Sequence, residues 1–476
     1  MDNLYKKASK TFIVNILGLV MAFLFQLILG RSLKPDLYGQ FTMFTIYINI
    51  FTIVTVLGMD RNLIKEIARV KKDKGIGYIK FSLKISLLLF TLTSVFTVLF
   101  WSHLQMAGKF MALFIITLLI KSFALIIDGY FQGIGKIVRA TMINTLLNNI
   151  LKIILFLIFI RVINDSAFAS ILSFTVSETL CLILRIGLLD KKLNILTKNH
   201  DIFSNEEKQI FVKSSFTFAL ISGIAILLQN LDKVMISSLL GPNSVGIYKV
   251  SQNYVALIGV FVAPFMAFWP TISKLYNDKK ISEIEKEMNK ITRLIAALAI
   301  PMFCMFYFLN NRILLIFGTE YTTSESCSVL IILSLGALFD AVAGPIGSIL
   351  TMTRYEKYAL FNNVIAVVLS VILNLIFINK YGLIGAALGT SISTIVSNLL
   401  SIIQVKILLN IFPYDYNNLK QITLSFLINL VICKALIKLL AVTNVFIYVI
   451  LFGIIIYFCN ALVILLIYRK DIINRS

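Results

Sequence analysis

Apolar residues fill this chain of 476 residues in fourteen long runs, and the polar stretches between the runs are too short to fold on their own. The runs approach or exceed the 20 or so residues that an α-helix needs to cross a bilayer, and they do not alternate in polarity as barrel strands do. We therefore predict an all-α, polytopic integral membrane protein with about fourteen transmembrane helices. The predicted spans cover residues 11–29, 41–57, 81–100, 111–130, 141–160, 168–188, 212–240, 250–268, 293–309, 329–350, 359–378, 383–405, 419–440 and 445–468.

The distribution of charge gives the orientation of these spans. The chain is 59% hydrophobic and only 14% charged, with a net charge of +21. If the amino terminus is cytoplasmic, 28 of the 44 lysines and arginines lie on the inner side and seven on the outer side. Cytoplasmic loops carry such an excess, so the bias predicts a multi-pass protein of the cell membrane with both termini inside. Membrane lipids, and no nucleic acid, are therefore expected as partners.

Motifs for enzyme chemistry are missing from the sequence. The five cysteines have no paired spacing, and His103 and His200 fall in predicted loops on opposite sides of the membrane. We expect neither a metal site nor a catalytic residue. No phosphate-binding G-x-x-x-x-G-K-[ST] motif and no soluble domain are present, so we expect no enzyme activity, no cofactor and no hydrolysis of ATP.

Short sequence echoes indicate an internal duplication. The segment around Gly30, LILGRSLKPDLYGQF, is similar to SSLLGPNSVGIYKVS around Gly241, and ALIIDGYFQGIGK around Asp128 is similar to GALFDAVAGPIGS around Asp340. The two offsets are 211 and 212 residues, and six spans separate the copies. The repeat predicts two parallel, pseudo-symmetric six-helix lobes, a plan known among secondary transporters. The predicted divisions are a first lobe at 1–190, a cytoplasmic linker at 191–211, a second lobe at 212–410 and two added helices with a short tail at 411–476.

Polar side chains inside the spans are the candidate functional residues, because such groups are costly in lipid. Asn144, Asn148 and Lys152 lie at i, i+4 and i+8 on one face of span 5, and Gln229 and Lys233 share a stripe of span 7. We interpret these stripes as the walls of a hydrated lumen. The predicted polar lining comprises Asn144, Asn148, Gln229, Asn363 and Asn374.

The alternative is that such groups only tie helices together. We favour that reading for Glu178 and Arg185, which lie two turns apart on span 6 and are expected to form hydrogen bonds and ion pairs between helices.

Cations outnumber carboxylates among the candidates, which suits an anionic ligand such as a phosphate-bearing substrate. The predicted substrate-binding cations are Arg31, Arg61, Lys121, Lys152 and Lys233. Arg61 begins a loop helix next to the end of span 2, where it could face the inner mouth of the lumen. The candidates for coupling to a proton or sodium ion are Asp232, Asp128 and Asp340, with Asp232 alternatively holding Lys233.

Five pieces of sequence, in this order and spacing, carry a resemblance to a known family. They are LGR at 29–31 with Pro35 and YG at 38–39, YFQG at 130–133, DKVMI at 232–236 with LG at 240–241, VGIY at 245–248, and YGLIGAA at 381–387. Through them the chain resembles the polysaccharide flippases, which move lipid-linked oligosaccharide repeat units. That family is a branch of the multidrug, oligosaccharidyl-lipid and polysaccharide flippase superfamily.

The resemblance implies a fold of two six-helix lobes around a V-shaped cavity that opens to each side in turn. The implied substrate is a polyprenyl-pyrophosphate-linked oligosaccharide, whose tail stays in lipid while its headgroup crosses. Arg31 and Arg61 occupy places similar to cavity arginines of the related lipid-linked peptidoglycan-precursor flippases, and spans 13 and 14 resemble helices that form a lipid-tail groove there. A polysaccharide polymerase and glycosyltransferases are implied as partners. The chain departs from those relatives because its candidate cations are few and mostly lysine.

Two other functions stay open at this point. A cation-coupled multidrug exporter of the same superfamily would need a carboxylate in span 1, and none lies between Thr11 and Leu29. A membrane polymerase or glycosyltransferase would need large outer loops or acidic pairs in them, and the first outer loop offers only Asp36.

Overall fold

The structure is a computed structural model of the chain that describes residues 2–69, 72–104, 106–189, 204–262, 265, 268–344, 346–440 and 443–473. Over these residues the chain forms seventeen α-helices and no β-strand, which confirms the all-α prediction. The first nine helices are α1 Asp2–Ser32, α2 Pro35–Val56, α3 Met59–Ile67, α4 Lys72–Leu99, α5 Met111–Gly133, α6 Ile137–Thr141, α7 Asn148–Val162, α8 Ser166–Gly187 and α9 Asn205–Leu240. The other eight are α10 Pro242–Val260, α11 Trp269–Asn277, α12 Ile281–Leu315, α13 Ser324–Ala343, α14 Ile346–Met352, α15 Glu356–Leu409, α16 Tyr416–Leu439 and α17 Val445–Ile473.

Every predicted span contains helix. Within the described residues, eleven helical stretches are long and apolar enough to cross a membrane. One of them, α15, consists of two helices that follow each other directly across a kink at Gly382, and it therefore supplies spans 11 and 12. The apolar stretch Val445–Ala461 of α17 supplies span 14, and the helix α10 supplies span 8. The protein is thus a multi-pass membrane protein with about fourteen spans.

The turn between spans 11 and 12 explains two glycines of the YGLIGAA motif. Gly382 has φ 59° and ψ −134°, a conformation that L-residues with a side chain rarely adopt. A Cβ atom placed on Gly385 would lie 1.9 Å from the carbonyl oxygen of Phe377, so only glycine allows the chain to return this closely. Both glycines are therefore required by the backbone of the turn.

Two spans differ from the expected single helices. Span 10 was expected to run from 329 to 350, but α13 ends at Ala343 because Gly344 takes φ 73°, and α14 begins at Ile346. Span 5 is interrupted by a π-helical segment, Met142–Leu147, between α6 and α7. π-Helical turns are rare in proteins, and those that occur are often found at functional sites.

The chain divides into two compact units, and the division falls between Asn230 and Leu231 inside α9. The amino-terminal part of α9 packs within the first unit on Asn62 of α3, which is fully buried. The Asn62 amide donates to the carbonyl oxygen of Phe211 at 2.9 Å and to Oγ of Ser215 at 3.0 Å. Most of the predicted linker at 191–211 lies outside the described residues, so the lobe boundary at that linker stays a prediction.

Equivalent elements recur in the two units. Each unit has a nine-residue helix after its second span, α3 at Met59–Ile67 in the first unit and α11 at Trp269–Asn277 in the second. Asp128 of the first unit accepts hydrogen bonds from Arg185, and Asp340 of the second unit accepts one from Asn398. These repeated elements and contacts support the duplication inferred from the sequence.

The added helices are fastened to α12 where Pro301 interrupts its hydrogen bonding. Proline has no N–H, so it leaves the carbonyl of Ala297, four residues earlier, without its helical donor. Asn460 of α17 donates to that carbonyl oxygen at 2.6 Å, and Tyr457 donates to the carbonyl oxygen of Leu298 at 3.0 Å. A backbone group that lipid could not satisfy is therefore satisfied by a neighbouring helix.

Candidate functional site

In the described part of the chain, every buried charged residue belongs to an ion pair. Six such residues are buried, and they form three pairs. Lys152 and Glu178 lie 3.4 Å apart, Arg185 and Asp128 lie 2.8 Å apart, and Lys233 and Asp232 lie 3.1 Å apart. The first two pairs belong to the first unit and the third to the second unit. Because an unpaired charge in lipid is costly, pairing explains how these residues are tolerated.

Glu178 of α8 is the centre of the polar cluster in the first unit. Its Oε1 atom accepts a hydrogen bond from the amide of Asn148 at 2.9 Å and lies 3.4 Å from Nζ of Lys152. Asn148 and Lys152 lie one turn apart on α7, directly after the π-helical segment. These two residues of the predicted face of span 5 therefore do act together, and their partner is a carboxylate of α8.

A second lysine shares an aromatic ring with the first. Lys152 Nζ lies 4.4 Å from the centroid of Phe174, and Lys121 Nζ lies 5.6 Å from the same centroid. Phe174 is held by edge contacts with Phe41 and Phe44 at 6.1 and 6.3 Å between centroids. Cations are stabilised at the face of such a ring, so the site can hold two lysines with one carboxylate. Lys121 is fixed further by a hydrogen bond from its Nζ to Oδ1 of Asn49 at 2.7 Å.

Arg185 pairs with a carboxylate of another helix, which agrees with the interhelical contacts expected for it from the sequence. Its Nε and Nη2 atoms donate to the two carboxylate oxygens of Asp128 on α5, at 2.8 and 2.9 Å. A bidentate pair of this kind is stronger than a single-point contact, and it needs a carboxylate from a neighbouring helix. Asp128 is therefore engaged by an arginine in this structure, while its role in ion coupling stays a prediction.

The cluster of the second unit is centred on Asp232 of α9. Its Oδ1 atom accepts from the backbone N–H of Lys233 at 2.8 Å and from Lys233 Nζ at 3.1 Å, and its Oδ2 atom accepts from the hydroxyl of Tyr248 at 2.9 Å. Lys233 Nζ also donates to Gln252 of α10 at 3.0 Å, and the Tyr248 hydroxyl lies 3.3 Å from Oγ1 of Thr390. In this structure Asp232 holds Lys233, which is one of the two roles that the sequence suggested.

Both lysines predicted to line a hydrated lumen are buried in this conformation. Lys152 is 8% exposed and Lys233 is 2% exposed, and each contacts a carboxylate. They are therefore not hydrated cations here, because their charges are already compensated inside their own units. Their contact with a substrate stays a prediction, and it requires that an anion compete with Glu178 or Asp232.

The two predicted arginines are exposed. Arg31 lies in the last turn of α1. Arg61 lies on the exposed face of α3, with its Nε atom 3.7 Å from Oδ2 of Asp60. Burial raises the pKa of Asp60, while the Arg61 backbone N–H and its charge oppose that rise. The contact of both arginines with a substrate stays a prediction.

The remaining predicted residues differ in exposure. Asn374 is buried and donates to Oγ of Ser370 at 3.1 Å, so in this conformation it lies in packing between side chains. The exposed members of the set are Asn144, Gln229, Asn363 and Asp340.

Sequence reasoning missed several partners of the buried cations. Asn49 and Phe174 were not predicted as contacts of the lysines, and Tyr248 was not predicted as a donor to Asp232. One signal was available, because Phe174 and Glu178 lie four residues apart and so share a face of α8. The contacts between helices could not be read from spacing.

The first unit carries an excess of positive charge in its polar cluster. Lys121, Lys152 and Arg185 face only two carboxylates, Asp128 and Glu178, in this group. Such a cluster can accept an anion more readily than a cation. The described residues contain no group of three or more histidines, cysteines or carboxylates that could hold a metal ion.

Comparisons with known proteins agree on the fold and on a family. The sequence profile of the polysaccharide biosynthesis protein family matches residues 4–276, and the MatE profile matches residues 217–376. A capsular polysaccharide biosynthesis protein of Staphylococcus aureus, CapF, is 27% identical over 403 residues, which are 82% of this chain and 96% of that protein. A probable low-salt glycan biosynthesis flippase of Haloferax volcanii, Agl15, is 28% identical over 200 residues, 42% of each chain.

A solved structure is similar along nearly the whole chain. The lipid II flippase MurJ in an inward closed conformation matches with a TM-score of 0.73, covering 98% of this chain and 100% of that one at 19% sequence identity. At this identity the likeness shows the fold alone.

Proposed function

Because this chain belongs to the polysaccharide biosynthesis protein family, we propose that it is a flippase for a polyprenyl-pyrophosphate-linked oligosaccharide repeat unit. The repeat unit would move from the inner to the outer leaflet of the cell membrane by alternating access, for assembly of a cell-surface polysaccharide. The observation that carries this proposal is the family match over residues 4–276, together with a capsular polysaccharide relative that aligns along 82% of the chain.

The physical chemistry of the cargo fits the candidate residues. A sugar-pyrophosphate headgroup loses several kcal/mol for each polar group that enters lipid without a partner, so it needs polar and cationic contacts along its path. The excess positive charge around Phe174, and the exposed Arg31 and Arg61, supply contacts of the required sign. Lysine binds phosphate as a point charge, without the bidentate geometry of arginine.

The ion pairs suggest how an anion would be bound and released. In the absence of cargo, Glu178 compensates Lys152 and Asp232 compensates Lys233. A pyrophosphate that contacts either lysine must displace a carboxylate. The cost of this displacement lowers the net affinity of the protein for the pyrophosphate. A flippase must release its cargo on the far side, so moderate affinity is what this function needs. Asp232, Asp128 and Asp340 are our candidates for coupling to a proton or sodium ion.

The proposed location follows from the charge bias and the proposed cargo. Both termini would be cytoplasmic, in the inner or only cell membrane. A polysaccharide polymerase would consume the flipped repeat unit and glycosyltransferases would supply it, so these are the proposed partners in the pathway. The fold and the relatives named as flippases support a transporter rather than a membrane enzyme.

Deletion of the gene tests the proposal in cells. We expect lipid-linked repeat units to accumulate on the inner leaflet and surface polymer to be lost, and expression of the wild-type chain to reverse both effects. Unchanged surface polymer without accumulation of the intermediate would refute the proposal.

A second candidate function rests on the MatE match over residues 217–376. A cation-coupled drug exporter needs carboxylates that are available to a cationic drug. In the described residues the three buried carboxylates are each paired with a cation and are not available to a drug in this conformation. The exposed Asp340, which accepts a hydrogen bond from Asn398, is the carboxylate that this function would use. Increased resistance to lipophilic cations on expression would favour it over the flippase.

A further inference from the structure

A groove lies between α4 and the amino-terminal part of α9, within the first unit. Phe81 of α4 and Lys208, Gln209, Val212 and Lys213 of α9 line it, and its volume is about 420 Å³. The ring of Phe211 packs on Tyr78 and Phe81, at 5.0 and 6.2 Å between centroids, and holds the two helices together beside the groove. We call it the α4–α9 groove.

Two lysines of α9, Lys208 and Lys213, line the α4–α9 groove, and the spacing along α4 places a third, Lys84, beside it. Lys213 lines the groove directly. Lys84 follows Phe81 by three residues on α4, so the two side chains share a face of that helix. Both helices thus contribute cations to the groove or to its edge.

Two of the carboxylates near this groove, Glu66 and Glu207, have partners of their own. Glu66 of α3 lies within 4.0 Å of Lys65 and Arg69, and Glu207 accepts a hydrogen bond from the backbone N–H of Ser204 at the start of α9. Glu206 is exposed on the first turn of α9. Lys84, Lys208 and Lys213 outnumber Glu206, so the groove has an excess of positive charge.

Two apolar stripes continue from the groove along the same helices. On α4, Leu88, Leu92 and Val95 are each at least 60% exposed, and on α9 Phe216 and Leu220 are more than 50% exposed. Their spacing of three to seven residues places each set on one helix face. Within a bilayer such stripes contact acyl chains. Each apolar stripe begins next to one of these lysines. The lysines therefore lie where the helices enter the apolar part of a bilayer, at the depth of the lipid headgroups.

We propose that the α4–α9 groove binds an anionic diacyl phospholipid. Its phosphate contacts Lys84 and Lys213, the rest of its headgroup fills the space over Phe81 and Val212, and one acyl chain follows each apolar stripe. Two stripes suit two acyl chains, whereas a polyprenyl phosphate has a single tail. The site is independent of the proposed cargo, and bound lipid is expected to stabilise this unit.

The test measures lipid binding to the purified full-length chain in detergent by native mass spectrometry. Dioleoyl phosphatidylglycerol is titrated against dioleoyl phosphatidylcholine and undecaprenyl phosphate. The double variant Lys84→Gln with Lys213→Gln is expected to bind phosphatidylglycerol about 30-fold more weakly, which corresponds to about 1 kcal/mol for each lysine. Val212→Trp fills the groove without changing the charge and is expected to weaken binding as well.

The matched control is Lys274→Gln with Lys286→Gln, which removes two exposed lysines of the second unit and so makes the same change in total charge. It is expected to change phosphatidylglycerol binding by less than about twofold. Equal loss in the control, no loss in either groove variant, or no effect of Val212→Trp would overturn the proposal. Equal binding of phosphatidylcholine, or preferred binding of undecaprenyl phosphate, would overturn the assignment of an anionic diacyl lipid.

Discussion

At the scale of single residues, each buried charge stabilises an ion pair, and deleting it would disturb that pair together with any role in transport. Lys152 compensates Glu178, so Lys152→Ala leaves a buried carboxylate without a cation. Breaking such a pair costs about 3–5 kcal/mol, whereas a charge exchanged within the pair leaves both charges compensated. Experiments on the cargo path therefore need variants that keep the pair.

The exchanged pair Lys152→Glu with Glu178→Lys separates binding from stability. We expect Lys152→Ala to insert but to lower polymer export and thermal stability. The exchanged variant should recover most of the thermal stability, measured by size exclusion after heating, yet export should stay low because the cation has moved from α7 to α8. Export at the wild-type level from the exchanged variant would show that Lys152 is structural only. Lys233→Ala is expected to lower export in the same way.

Asp232 offers a prediction about ion coupling. Tyr248 and Lys233 both donate to its carboxylate, so Asp232→Asn removes the charge that holds Lys233. Transport measured at several proton and sodium gradients should fall and lose part of its ion dependence. Tyr248→Phe keeps the charge and serves as the control, with an expected loss of about 1.5–3 kcal/mol in stability and unchanged ion dependence. If Asp232→Asn transports normally with the same ion dependence, Asp232 has neither role.

At the scale of helices, the added pair α16 and α17 depends on a gap in the hydrogen bonding of α12. Asn460 fills the gap that Pro301 leaves at the carbonyl of Ala297, and its Oδ1 atom also accepts from Ser425 and Asn429 of α16. One side chain therefore links all three helices. Because Asn460 and Pro301 can each be replaced, the coupling between them can be measured.

A double-mutant cycle tests this contact. Asn460→Leu should destabilise the protein by about 1–3 kcal/mol, since it leaves buried polar groups without partners. In the background of Pro301→Ala, which restores the N–H donor to Ala297, the same substitution should cost less, and the difference is the coupling energy. Thermal unfolding in detergent measures both. Equal costs in the two backgrounds would show that Asn460 does not act through the proline gap.

The start of α8 gives a prediction on pH. Burial by itself would raise the pKa of Asp165, but hydrogen bonds from Lys109 and from the N–H groups of Phe168 and Ala167 lower it below its usual value. A carboxylate with a lowered pKa stabilises the folded state above its unfolded pKa near 4 and loses that contribution as the pH falls through the folded pKa. The melting temperature of the wild type should therefore fall below pH 4 more steeply than that of Asp165→Asn. Parallel curves would contradict this.

At the scale of the whole molecule, the sequence predicts the helices well and the contacts between them poorly. Apolar length gives the spans, and the echo of Asp128 and Asp340 gives the repeat, because these properties are local or periodic. The break at Gly344 was missed although glycine followed by proline is a local signal for one, and the π-helical segment at Met142–Leu147 was missed because the sequence carries no such signal for it. The partners of Glu178 and Arg185 on other helices, Lys152 and Asp128, could not be assigned from the sequence, because helix rotation and tilt decide which faces meet.

Transport of a lipid-linked oligosaccharide across a bilayer can be observed with the purified protein alone. The protein is reconstituted in liposomes that hold a fluorescent polyprenyl-pyrophosphate-linked oligosaccharide, and the fraction of label that an impermeant quencher can reach is followed over time. We expect the wild type to expose label from both leaflets, while the exchanged Lys152 and Glu178 variant exposes only the label already outside. Label confined to its original leaflet with folded wild-type protein would contradict the proposed function.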